Sequence, residues 1–401
     1  MRSPSASHLT LSSLLEVFTA FLKLGLTSFG GPIAHLGYFR DEFVARRRWL
    51  DEQTYGDLVA LCQFLPGPAS SQVGMALGIG RAGVPGAIAA WLGFTAPSAI
   101  AMILFAYGVQ AWTGALQSDV LRGLKIVAVA VVAQAVWAMA RSLCPDAPRA
   151  TLAVLAAIAM LLWQTAIGQI AVIAVGGAAG LLFLRQDALA GGAAAPVRVG
   201  RRTATLAWIL FVGLAVALPI AAGLSPSAEL AILDRFYRTG WLVFGGGHVV
   251  LPLLQAEVVP PGWVSNDSFL AGYGAAQAVP GPLFTFAAYL GAIMQVGPGG
   301  WLGGLLCLAA VFLPSFLLVV GALPLWQRLR ANAAARSALA GINAAVVGLL
   351  LAALYDPVWV SAIRSGADFA LALAAFLLLA VWRVSPWIVV VATAALAALF
   401  L

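Results

Sequence analysis

Charge is scarce in this chain: Asp, Glu, Lys and Arg make up 9% of its 401 residues, against roughly 25% in a soluble domain. Hydrophobic residues make up 62%, more than a water-exposed globule can hide, so the composition reads as a polytopic membrane protein. Cysteine is equally sparse. Cys62, Cys144 and Cys307 stand far apart without a CxxC spacing, which excludes a metal or disulfide framework. No GxxxxGK[ST] loop is present, so the chain carries no ATP motor, and the absence of HExxH and GxSxG motifs argues against an enzyme. No catalytic residue, metal or cofactor is expected. There is no long basic stripe for a nucleic acid: the net charge of +7 gathers in a few short loops, as topology signals do. The first apolar stretch carries Glu16 and Lys23 and lacks a small-x-small cleavage site, so it is not read as a cleavable signal.

What the chain does have is one phrase stated twice. Phe21-Leu-Lys-Leu-Gly-Leu-Thr-Ser-Phe-Gly-Gly31 is followed by Gln63-Phe-Leu-Pro-Gly-Pro68. Phe236-Tyr-Arg-Thr-Gly-Trp-Leu-Val-Phe-Gly-Gly246 is followed by Gln277-Ala-Val-Pro-Gly-Pro282. Trp49 matches Trp263 and Glu42 matches Glu257. Each copy interrupts apolar segments with glycine and proline, and such paired interruptions in two halves point to a transporter binding site.

Apolar segments fall at about 12–30, 53–80, 84–110, 119–143, 149–164 and 168–184, then a spare one at 204–222. A second set follows at 229–248, 266–296, 299–327, 336–354, 368–382 and 385–401. These are about thirteen segments against a span of roughly 20 residues. The reading divides the chain into repeat 1–184, a cytoplasmic linker 185–203, and repeat 204–401 with one extra leading helix. An odd helix between equal sets inverts the second. Loop charges agree: Arg40 with Arg46-Arg-Arg48, Arg81, Arg141 with Arg149, and the linker arginines share one side. The loop from Val249 to Asp267 has no Lys or Arg. Basic loops mark the cytoplasm, provided that each broken pair turns back as a re-entrant hairpin. Arg122, Lys125 and Arg364 fit this pattern poorly. The fold expected is therefore all-α, of two homologous halves, inverted repeats built on Gly/Pro-broken re-entrant helices.

Interrupted backbone is tolerated in a bilayer where protein or a watery cavity surrounds it. At Phe64-Leu-Pro-Gly-Pro68 two prolines remove amide donors and Gly67 permits unusual dihedrals. Ser70, Ser71 and Gln72 then open a new half-helix, whose unpaired amides and partial positive charge suit an anion. Thr27, Ser28, Gly30 and Gly31 lie at the preceding break. The second copy has Phe284, Thr285 and Phe286 where the first has Ser70, Ser71 and Gln72, so the first half is expected to dominate substrate contact. Lys23 and its match Arg238, with Arg40, are candidate counter-charges, since cations inside apolar segments usually have a job. The bland reading pairs Lys23 and Arg238 with Glu16 or Asp234, only to tie helices together. His35 and His248 adjoin the two Gly-Gly breaks and titrate near neutral pH. Gln63 and Gln277 precede the two Pro-Gly-Pro turns. Asp57 and Glu257 are candidate proton-coupling acids. Trp49 and Trp263 are expected as interface anchors.

Phe29-Gly-Gly-Pro-Ile-Ala-His35, Tyr38-Phe-Arg-Asp-Glu-Phe43, Arg47-Arg-Trp-Leu50 and Cys62-Gln-Phe-Leu-Pro-Gly-Pro-Ala-Ser-Ser-Gln72 resemble the first-half signature of the chromate ion transporter family. Phe244-Gly-Gly-Gly-His-Val-Val-Leu-Pro252 and Ala278-Val-Pro-Gly-Pro282 are similar to its second-half signature, as in the long two-domain members. The resemblance implies a multi-pass protein of the bacterial inner membrane with its N-terminus and linker in the cytoplasm. It also implies export of chromate, a sulfate-like oxyanion, with chromate resistance as the outcome. Protons as coupling ion and a homodimeric assembly are left open. The alternatives are an uptake carrier for sulfate or another anion, a membrane-embedded enzyme and a channel.

Overall fold

A computed structural model describes residues 11–111, 115–184 and 199–400. Most of the expected linker, with Arg198, lies outside the described residues. Every regular element among them is helical. The first repeat comprises α1 (Leu11–Thr27), α2 (Gly31–Phe39, continued by a π-helical Arg40–Arg46), α3 (Glu52–Phe64), α4 (Ala69–Ala111), α5 (Ala115–Leu143), α6 (Ala147–Leu162) and α7 (Ala166–Phe183). The spare helix is α8 (Arg201–Leu224). The second repeat comprises α9 (Ala228–Leu242), α10 (Val250–Val258), α11 (Asn266–Ala276), α12 (Phe286–Ile293), α13 (Gly300–Ala322), α14 (Trp326–Ala331), α15 (Ala333–Ala353), α16 (Val360–Ala362), α17 (Gly366–Ala380) and α18 (Pro386–Phe400). Of the thirteen apolar segments, six appear as helices long and apolar enough to cross a bilayer: within α4, α5, α7, α8, α13 and α15–α16. Gly/Pro interruptions cut short α1, α3, α9 and α11, whereas α6 and α17 are short without one.

The interruptions turn helices into hairpins. Glu16, near the start of α1, bonds Arg81 at 2.7 Å and Arg47 at 3.5 Å. Arg81 adjoins the break of α4, where Ala82 and Gly83 leave helical dihedrals, and Arg47 follows the end of α2. Two chain reversals and the start of α1 thus meet at one face. At the other end, His35 of α2 approaches Ser70 of α4, with Nδ1 and Oγ 3.4 Å apart. Phe21, Phe39, Phe43 and Phe94 fill the space between, the Phe21 and Phe43 rings stacked at 4.8 Å. The second repeat builds the same object. Arg238 of α9 meets Glu257 of α10 at 3.1 Å, and Phe269, Tyr273, Phe286 and Tyr289 form its aromatic centre.

The two objects point opposite ways. From Gly83 to Ala111, α4 leaves the Arg81 face and runs about 40 Å at 1.5 Å per residue. Near its far end, Gln110 bonds the carbonyl of Ala292, and Gln295 bonds that of Trp263. Trp263 lies under the Arg235 guanidinium beside Glu257. The charged cluster of each repeat therefore sits at an opposite end of α4, and the repeats are inverted. They are also interleaved. α5 packs on α17 and α18, while α15 packs on α6 and α7. Small residues permit both crossings: a methyl on Gly123 would come 2.7 Å from the Cα of Ala394, and Gly180 faces the backbone of Gly341 with no room for one. Arg122 and Lys125 fit the loop-charge pattern poorly because they are neutralised across this seam. Arg122 clamps the buried Asp368 through two bonds of 2.9 and 3.1 Å, and Lys125 meets Asp267 at 2.9 Å.

Candidate functional site

The four breaks converge. Gly67, in the Pro-Gly-Pro turn of the first repeat, donates its amide to the carbonyl of Val243 at 2.7 Å; Val243 ends α9 of the second. Gly281 returns the bond, donating to the carbonyl of Ser28, just past α1, at 2.9 Å. Both glycines hold left-handed dihedrals, φ 120° and 100°, which favour glycine. Each turn also presses on a Pro-Ser pair in a long helix of the other repeat. A methyl on Gly67 would lie 2.6 Å from Ser315 Oγ, and one on Gly281 would lie 2.8 Å from Ser98 Oγ. Pro97-Ser98 and Pro314-Ser315 thus belong to the site. Sequence reasoning passed over them, although the dipeptide recurs in both repeats.

Beside the Gly281 latch opens a cavity of about 90 Å³, well above the roughly 10–15 Å³ that one water requires. Gly30, Gly31, His248, Gln277 and Gly281 line it, with Val131 and Gln134 of α5 and Pro386 of α18. No lining residue is a Lys, Arg, Asp or Glu. Away from the cavity, Asp51, Asp146, Thr165, Ser227, Ser265 and Ser365 cap α3, α6, α7, α9, α11 and α17. Gly30 and Gly246, where α2 and the turn before α10 begin, offer no side-chain cap. Their first-turn amides are left to find another acceptor. A helix N-terminus attracts an anion by about 0.3–1 kcal/mol at a surface and up to about 2 kcal/mol in partly buried geometry.

Behind the cavity lies a buried polar set: Ser28, His35, Ser70, Ser71, Gln72 and Ser315 are each at most 3% exposed. Gln72 Nε2 donates to the carbonyl of Pro66 at 2.7 Å, filling the gap left by the break. Ser28 Oγ, Ser71 Oγ, Gln72 Oε1 and Ser315 Oγ have no hydrogen-bond partner, whereas His35 also interacts with the Ser28 backbone and Gln277 at the cavity with Tyr273. Orphaned polar atoms in such number call for an occupant, an ion or water. His248 Nδ1 lies 2.8 Å from the Tyr273 hydroxyl, which turns its ring within the cavity wall.

The expected counter-charges stand elsewhere. Lys23 is half exposed and pairs with Glu42 at 3.6 Å; Arg238 pairs with Glu257 and Asp234, both at 3.1 Å. The pairs are repeat-equivalent, so matched cations found matched acids. Arg40, also half exposed, bonds Glu52 at 2.6 Å. Burial explains the arrangement: Glu42 and Glu257 are 6–7% exposed, and a carboxylate so placed needs its cations close. Glu257 is thereby occupied as an ion-pair partner, and Asp57 is buried on α3 outside the cavity lining. Thr27 is exposed and bonds the carbonyl of Lys23. Gln63 is exposed, so of the matched amides only Gln277 faces the cavity. The cavity draws on both repeats, where the sequence had favoured the first. Trp263 is buried with Arg235 over its ring at 4.1 Å, and Trp49 packs on Phe43 between Arg47 and Arg81.

The chain matches the chromate transporter family over residues 15–181 and 230–399, both repeats but not the spare helix. It is 29% identical to a chromate transport protein of Pseudomonas aeruginosa over 87% of this chain and 82% of that one. It is 26% identical to a probable chromate transport protein of Synechococcus elongatus over 85% and 84%. With a chromate transport protein of Cupriavidus metallidurans it shares 25% over 85% and 82%. No solved structure matches. Inverted hairpins with latched breaks, a cavity without fixed charge and a family match over both repeats agree: the chain belongs to the chromate transporter family.

Proposed function

We propose that this chain is a secondary active carrier that exports chromate from the cytoplasm across the bacterial inner membrane and so confers resistance. The observation that carries this reading is the cavity at the reciprocal latches. It presents the uncapped start of α2, the side-chain amide of Gln277 and no carboxylate, which suits a tetrahedral dianion. Gly30, Gly31, His248 and Gln277 receive the anion first. Ser28, His35, Ser70, Ser71 and Gln72 take it deeper once the Gly281–Ser28 latch parts, and the Gly67–Val243 latch governs the opposite side. Rocking of one repeat against the other would open them in turn. Export needs little else: moving two negative charges out of a negative interior releases about 4.6 kcal/mol per 100 mV. Lys23, Arg238 and Arg40 hold the hairpins rather than the anion.

Flux into oriented proteoliposomes under imposed voltage and pH gradients tests the reading, with sulfate, molybdate and phosphate as competitors. Gln277→Leu and His248→Phe should lower chromate affinity at least tenfold with normal membrane insertion. Lys23→Ala and Arg40→Ala should change it less than threefold. The opposite ranking would move the site to the charged cluster, and sulfate accumulation against the voltage would make the chain an uptake carrier.

A further inference from the structure

A second cavity, of about 50 Å³, lies on the face that carries Glu257 and Arg238, opposite the Arg46–Arg48 loop. Gln164 and Gln169 bound it from the start of α7 and the loop before it, Gln255 from α10, and Asp356 from the segment after α15. No Lys, Arg or His is among its lining residues, and its polar side chains are one carboxylate and three amides. Two of the amides have committed their nitrogens. Gln164 Nε2 donates to Asp356 Oδ2 at 3.1 Å, and Gln169 Nε2 donates to the carbonyl of Pro252 at 2.8 Å. The uncommitted end of each is its oxygen. Backbone reinforces this bias. Asp356 leaves the helical region, φ −130° and ψ 116°, inside an otherwise π-helical stretch, and α15 ends just before it. Helix C-terminal carbonyls carry partial negative charge, and unwound backbone with half-helix C-terminal ends forms cation sites in inverted-repeat carriers.

We propose that this cavity binds a monovalent metal cation, sodium being the probe, through the Asp356 carboxylate and the amide oxygens of Gln164, Gln169 and Gln255. A hard cation takes oxygen ligands, and a single carboxylate neutralises a single positive charge. No group of three His, Cys, Asp or Glu residues forms a divalent-metal cluster among the described residues, which fits a singly charged guest. The site also connects to the oxyanion cavity. α10 and the turn before it carry His248 at one cavity and Gln255 at the other. Cation occupancy holds one end of a short rigid element whose other end lines the oxyanion site. That coupling rests on the function proposed above, whereas cation binding itself does not.

Binding is therefore tested without any oxyanion. Purified full-length protein is heated in sodium chloride, with choline chloride replacing it at constant ionic strength and pH. A saturable rise in melting temperature with sodium is expected, and Asp356→Asn should raise the half-saturating concentration at least tenfold. Gln255→Leu, which keeps the side-chain volume, should raise it severalfold and serves where Asp356→Asn fails to fold. Asp267→Asn, at a carboxylate outside the cavity, should leave it unchanged. A melting temperature that follows pH but not sodium, or sodium dependence equal in wild type and both cavity variants, would overturn the proposal. If the sodium effect on melting stands while chromate flux ignores sodium, the cation site holds and its coupling to transport is refuted.

Discussion

Gly67→Ala tests the latch where its geometry is tightest. Alanine at φ 120° costs about 1–3 kcal/mol of backbone strain. Its methyl would fall 2.6 Å from Ser315 Oγ and 2.7 Å from Gln72 Nε2, and such overpacking costs about 1–3 kcal/mol more. Relief requires Ser315 Oγ to rotate and Gln72 to give up its bond to the Pro66 carbonyl, or the turn to withdraw and strain the Gly67–Val243 bond. We expect a destabilisation of about 2–6 kcal/mol and loss of most chromate flux. Gly31→Ala is the internal control. It meets the same kind of strain at φ 76° but nothing within 4 Å, so it should cost only the backbone share. The decisive measurement is a double-mutant cycle. Ser315 Oγ has no partner, so Ser315→Ala alone should be close to neutral. Combined with Gly67→Ala it removes one of the two clashes and should restore about 1 kcal/mol, read as melting temperature by fluorescence-detected gel filtration and as flux. Ser98→Ala should do the same for Gly281→Ala. If Ser98→Ala rescued Gly67→Ala equally well, or if Gly67→Ala behaved like Gly31→Ala, the reciprocal contact between repeats would be refuted.

Three further outcomes follow from the charged and thiol groups. Lys23→Ala should cost under about 1 kcal/mol, since a half-exposed ion pair is screened by solvent. Glu42→Gln releases Arg46 and Arg47 as well as Lys23 and should cost about 1.5–3 kcal/mol; equal melting temperatures for the two variants would contradict the cluster. Asp368, fully buried, accepts bonds from Arg122, from the amides of Arg364 and Ser365 and from the Ser365 hydroxyl. Asp368→Asn strands the guanidinium and should cost about 3–5 kcal/mol, separating α5 from α17 in a cross-linking assay. Cys62 and Cys307 are buried, which leaves Cys144, after α5, as the single partly accessible thiol among the cysteines. Inversion with a cytoplasmic Arg46–Arg48 loop predicts that maleimide labels it in inside-out vesicles and not from outside. Burial pushes its thiol above the usual range, so the thiolate, which reacts, forms late. Labelling should be slower than for a free thiol at neutral pH and keep accelerating as pH rises past the ordinary thiol value.

Much of the fold was legible because the bilayer punishes unsatisfied backbone so heavily. Interruption at Gly67 or Gly281 pointed to backbone sheltered by protein or a watery cavity, and two matched interruptions pointed to two matched hairpins. The kink at Arg81 and the reversal at Arg46–Arg48 follow from the same reasoning. The Lys23–Glu42 and Arg238–Glu257 pairs show where legibility stopped. All four residues were recognised as matched, yet spacing alone does not say that a cation will turn toward an acid nineteen residues on rather than toward an anion. Pro97-Ser98 and Pro314-Ser315 were equally readable as a repeat. Nothing local to them shows that each faces the opposite copy's turn.

From the order of residues alone came membrane residence, duplication, inversion and the location of the breaks, since these depend on transfer energies and backbone donors that each segment carries by itself. The tertiary structure decided which repeat meets which: that Gly67 bonds Val243, that α5 and α15 change partners, and that the cavity takes Gln277 and leaves Gln63 outside. Contacts between segments so distant in the chain depend on how whole helices pack, and no local pattern encodes that geometry.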